Sequence, residues 1–265
     1  MSSRLLALPL SILLLLSPLP SLASDVAAPL LGLHRMRLAV QKSLGDFYMF
    51  KGMEGDRAYA RMLEQSIAQA RTQLDALGEL PTPDAPKLRE QLREQWLAYV
   101  SQLESLVAAF RKQGFTDLQP VTELATRNQR VLGTLDELSR SLRHDNASAV
   151  PAPVQSCRDL SVSMRGISVE YASRSASVGA LSSKDSAIDR QTGGFAERLQ
   201  KLRESPANTD ETRQTLQRIE APWHYIETAL HHPDQNSMPL LVDKYAGQIV
   251  EGLERLCEQY AAAAR

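Results

Sequence analysis

The chain has 265 residues, 30 basic side chains against 31 acidic ones, and two cysteines. A near-neutral balance with no basic cluster to track phosphates excludes nucleic acid as the expected partner. The wide separation of Cys157 and Cys257 excludes a C-x-x-C redox pair and a C-x-x-C-H haem attachment.

The first element is a leader. In residues 1–23 Arg4 precedes an apolar run from Leu5 to Leu16, and Pro18 and Pro20 break that run ahead of a small-residue site. This pattern predicts a signal peptide cleaved after Ala23, with Ser21 at the third position back, and a periplasmic or secreted mature chain. No later run reaches the roughly eighteen apolar residues of a membrane span, so none is expected in the mature chain.

After the leader, apolar residues recur every three or four positions and nowhere alternate over the length of a strand. The spacing predicts helices over about 27–52, 57–79, 86–113 and 118–144, a break at NASAVPAP, and helices over about 153–180, 185–204, 209–231 and 238–262. In the third, Leu88, Leu92, Trp96, Tyr99, Leu103, Leu106 and Phe110 fall on one stripe. Pro81, Pro83 and Pro86 precede it and Gly114 ends it, as helix boundaries require.

The two sets of four repeat one another. Leu74, Leu77 and Pro81 match Leu199, Leu202 and Pro206 at an offset of 125. Leu92, Trp96 and Leu103 match Ile219, Trp223 and Leu230 at 127, and Pro120 and Gly133 match Pro239 and Gly252 at 119. The expected fold is all-α: two tandem antiparallel up-down four-helix bundles, residues 24–146 and 153–263, hinged or stacked at the Pro-rich segment. Trp96 and Trp223 are the expected core pegs.

In such a bundle the first helix starts where the fourth ends, so Cys157 and Cys257 fall at the same end. An exported chain matures where thiols oxidise, which predicts a disulfide between them. The aligned places in the first copy fall near Leu31 and Leu138, where an apolar contact would serve.

No constellation for catalysis stands out. QTGGF lacks the strand and the Lys-Ser/Thr of a phosphate loop, and no zinc helix or nucleophile motif is present. His224, His231 and His232 lack metal-ligand spacing and read as surface or loop residues before Pro233. The serines of SVEYASRSASVGALSS form a small-residue face suited to close helix packing. The expectation is a non-enzymatic protein without metal or cofactor.

Several residues resemble a known family. GLHRM supplies Gly32, Arg35 and Met36, and RDLSVSM supplies Arg158, Leu160, Ser161 and Met164, with GGFAERLQKL and APWHYIETAL as later landmarks. The chain resembles the N-terminal sensor domain of type IV pilus methyl-accepting chemotaxis transducers, the PilJ-type domain, related to the periplasmic bundles of nitrate and nitrite sensors. It departs from that pattern at RLAVQ after Met36 and in the missing glycine of the second copy.

The resemblance implies a sensory or ligand-binding bundle outside the cytoplasm that takes a small anion or metabolite. A planar guanidinium suits a planar oxyanion, and position carries the ligand role to Arg35 and to Arg158 as its counterpart. Any signal would pass through a partner such as an envelope or membrane receptor protein. The alternative is a structural or adaptor protein that binds another helical bundle.

Overall fold

The computed structural model describes residues 22–144, 146, 149–176, 187–231 and 237–264. Most of the expected leader, the ends of the fifth and sixth elements that face each other (177–180 and 185–186), and His232 lie outside the described residues. Within them the chain is all-α, with the helices α1 (Leu22–Gly52), α2 (Arg57–Ala76), α3 (Ala85–Gln113), α4 (Leu118–His144), α5 (Ala152–Ala176), α6 (Ala187–Arg203), α7 (Asp210–His231) and α8 (Pro239–Ala263).

Local chemistry sets most boundaries. Asp56 caps α2 by accepting from the backbone N–H groups of Ala58 and Tyr59 at 2.8 and 3.1 Å. Gly114 ends α3 with φ of 76°, a left-handed conformation that costs glycine little. Two boundaries differ from the periodicity. α2 stops at Ala76, not 79, because Leu77 turns to an extended conformation ahead of Gly78. α1 begins earlier, at Leu22, and runs through Pro29.

Two apolar cores follow the repeat. Residues from Val26 to Leu142 build one around Trp96, and residues from Val154 to Tyr260 build the other around Trp223. The two indoles are 1% and 3% exposed, and burial of each large apolar side chain contributes roughly 1.5 to 3 kcal/mol. Cys157 and Cys257 stand at disulfide distance between α5 and α8, with Cα atoms 5.6 Å apart.

The sets lie side by side, with α1 packed along α5. The position of Gly45 faces Val169 and that of Gly52 faces Ala176, so the helices run parallel in a register of 124 residues. The buried stripes obey the same register: Leu30 corresponds to Val154, Leu33 to Cys157, Met36 to Leu160, Val40 to Met164 and Phe47 to Tyr171. The first-copy counterpart of Cys157 is therefore Leu33, not Leu31, and Leu33 is buried where Leu31 is partly open. Ala172 belongs to the first core although it comes from α5, so the described part of the serine-alanine face packs closely against α1.

Reduction tests the cysteine pair. Intact unreduced protein should weigh two protons less than the reduced form, and the Cys157→Ala/Cys257→Ala variant should lose about 2 to 4 kcal/mol of unfolding free energy in urea, as expected for a loop of about 100 residues.

The repeated glycines give a second test, with opposite signs. A Cβ at Gly252 would lie 2.7 Å from Cγ1 of Ile219, whereas one at Gly133 meets nothing within 4 Å. Gly252→Ala should destabilise by about 1 to 3 kcal/mol through overpacking. Gly133→Ala should stabilise its helix by about 0.5 to 1 kcal/mol. Denaturant midpoints of the two variants measure both.

Candidate functional site

The seam between α1 and α5 changes character along its length. Towards the C-terminal ends of both helices it is closed by small and apolar residues. Polar side chains also bridge the two sets. His34 Nε2 meets Oε1 of Glu254 on α8 at 2.8 Å. Further along, the Tyr59 hydroxyl donates to Oδ2 of Asp243 at 3.1 Å, joining α2 to α8.

Asp46 is buried beside this bridge. It accepts from Lys42 Nζ at 2.7 and 2.8 Å and from Ser66 Oγ at 2.9 Å. Burial pushes its carboxyl above the usual carboxylate range, against the opposing pull of Lys42 and Ser66.

Between α1, α2 and α5 lies a pocket of about 250 Å³, lined by Arg35, Leu38, Ala39 and Lys42 from α1, Gln69 and Gln73 from α2, and Arg165 from α5. Its lining carries three cationic side chains, two carboxamides and no carboxylate. Lys42 is already engaged by Asp46, which leaves Arg35 and Arg165 as the cations facing the cavity.

Arg165 is only 8% exposed, and its Nε has no hydrogen-bond partner. Burial lowers its pKa, while the charges of Asp243, Asp46 and Glu251 act in the opposite sense. A buried donor left unpaired costs about 1 to 3 kcal/mol. An anion in the pocket would supply a compensating charge beside it.

The two arginines marked by the sequence part company here. Arg35 lines the pocket on the α2 side of α1. Arg158 lines a cavity of only about 30 Å³ on the α4 side, with His34, Arg37 and Arg143. In the 124-residue register the counterpart of Arg158 is His34, and Arg35 corresponds to Asp159, so the pairing of Arg35 with Arg158 as equivalents is corrected. The two guanidinium groups still sense each other, since Arg35 adds to the burial that pulls the Arg158 pKa down.

Sequence reasoning passed over Arg165, Gln69 and Gln73. The signal for Arg165 was an arginine seven residues after Arg158 and inside an apolar stripe, between Met164 and Ile167. Gln69 is exposed and Gln73 half-buried on an amphipathic helix, and neither carried such a signal. The histidines do not converge: the exposed His224 lies 3.6 Å from Glu227, and His231 lies 3.6 Å from Asp189. Among the described residues no group of three His, Cys, Asp or Glu side chains could hold a metal ion, and no helix is long and apolar enough to cross a membrane.

No family model matches the chain, and no curated protein or solved structure matches it.

The His34–Glu254 bridge has a testable pH signature. Burial alone would raise the Glu254 pKa, but the hydrogen bond and charge of His34, with the charge of Arg158, outweigh it and hold the carboxyl below the usual glutamate range. A depressed carboxyl contributes stability that is present above the unfolded pKa and lost as pH falls through the folded one. The stability gap between wild type and Glu254→Gln should therefore narrow as the pH falls through the carboxylate range and the Glu254 carboxyl takes up its proton. Urea titrations across pH 3 to 7 measure it.

Proposed function

We propose that this is an exported, non-enzymatic, PilJ-like protein that binds a small anion between its two helical sets and passes the signal to a partner. The carrying observation is Arg165: a guanidinium more than nine-tenths buried, without an acceptor for its Nε, lining a cavity whose other polar groups are cations and carboxamides. Arg165 and Arg35 would hold the anion from α5 and α1, and Gln69 and Gln73 would donate from α2. A guanidinium favours planar, bidentate acceptors such as nitrate or a carboxylate.

The placement supports a sensory reading over simple storage. The pocket takes its walls from both sets, so an occupant adds contacts across the seam and biases their relative positions. The leader pattern supports export, and the resemblance to chemotaxis transducers supports signalling through an envelope or membrane receptor. An adaptor role draws on a separate observation, the exposed Phe115 and Leu118 beside the α3–α4 turn, and it would require a protein partner and no small ligand.

Thermal unfolding at constant ionic strength tests the anion reading. Nitrate, nitrite and small carboxylates should be compared with chloride, since ligand specific to the native state stabilises by RT ln(1 + [L]/Kd), about 2.7 kcal/mol at a hundredfold excess over Kd. At least one anion should raise the melting temperature of the wild type and lose that effect in Arg165→Gln. Equal shifts in the variant, or none in either protein, would remove the basis for the proposal.

A further inference from the structure

The two copies differ where the second and third helices of each should meet. In the second, α6 and α7 close on one another: the Phe195 and Trp223 rings lie 4.5 Å apart and Arg203 pairs with Glu220. In the first, α2 packs along α1 and α3 along α4, while α2 and α3 scarcely touch. The sequences differ at the same place. At the offset of 125 residues, Phe195 stands where α2 has Ala70, and Thr192 where it has Ile67. Ala70 is itself fully buried, and the ring beside Trp96 is Tyr99 of its own helix, 5.7 Å away.

Between α2 and α3 lies a cleft of about 530 Å³, within the usual range of small-molecule sites. Ala60, Leu63 and Ile67 line one wall, and Leu103, Val107 and Ala108 the other. Leu63 and Leu103 are buried at its floor, while Ile67 and Val107 remain half-buried towards the opening. An apolar body entering the cleft would take this surface out of water.

Charge gives the cleft a direction. On the α3 wall Glu104 marks one end, and Arg111 and Lys112 mark the other, in the last turn of the helix. Eight residues separate Glu104 from Lys112, about 12 Å of helix. Glu64 reaches Arg111 from α2 at 3.9 Å, but both side chains are more than half exposed and such a pair is weak. An acidic head would be drawn to the Arg111 end and repelled from the Glu104 end. The apolar strip spans only about two helical turns, too little to bury the roughly 800 Å² per partner of a stable protein interface.

We infer that the α2–α3 cleft binds a single-chain aliphatic carboxylate, its chain between Ile67 and Val107 and its head at Arg111 and Lys112. This site is separate from the cationic pocket, and neither reading depends on the other.

Calorimetric titration of the full chain with submicellar dodecanoate and with dodecanol tests it. Saturable binding of dodecanoate is expected, with a negative heat-capacity change from apolar burial. Val107→Trp, which fills the cleft, should abolish it while the protein stays folded. If that variant unfolds, Ala108→Trp at the exposed edge provides the same block. Arg111→Gln should weaken dodecanoate by roughly tenfold, the scale of one charge-assisted hydrogen bond, and leave dodecanol unchanged. No saturable binding, binding that survives the tryptophan, or indifference to Arg111 would overturn the proposal. So would a self-association of the chain that Val107→Trp abolishes, which would give the cleft to a second copy.

Discussion

The parallel contact of α1 with α5 is the constraint from which the rest of the molecule follows. Gly45, Gly52 and Gly166 on one helix or the other let the two backbones approach, and a close approach over such length leaves little room for water. Polar side chains on those faces must then find partners inside the protein or be left unpaired. His34, Asp46 and Tyr59 find theirs. Arg165 does not, for its Nε has no acceptor, and a pocket between α1, α2 and α5 lies beside it.

The shared register also explains how one plan yields two different cores. Each copy contributes its first helix to the seam, with the second and fourth helices packed on it and the third carried mainly by the fourth. In the second copy an aromatic plug and the cysteine pair close what the seam leaves open. In the first, Leu33 and Leu138 occupy the positions of the two cysteines, and Ala70 occupies that of the plug. The first copy keeps its stability through α1, which packs against both α2 and α4, and so tolerates an open flank.

Buried charge in the seam carries an energetic cost that apolar packing elsewhere must offset. Asp46 is the clearest case: the same burial that raises its pKa also strengthens its hydrogen bonds with Lys42 and Ser66. Such groups contribute less to stability than apolar residues of similar size would. Their effect is to fix how the two sets sit against each other, because sliding α1 along α5 would separate His34 from Glu254.

The sequence by itself determined the helices, their order, the duplication, the two tryptophan pegs and the meeting of Cys157 with Cys257. Periodicity and punctuation are local, and a repeat is visible wherever two stretches can be compared. Arg35 was marked, but through a resemblance, and its companion Arg165 was not. Only the tertiary structure decided that the sets lie parallel along α1 and α5, that Arg158 corresponds to His34, and that α2 and α3 stand apart. Those facts depend on which apolar stripe meets which, a choice between surfaces of nearly equal hydrophobicity that glycine contacts and single substitutions such as Phe195 against Ala70 settle by fit.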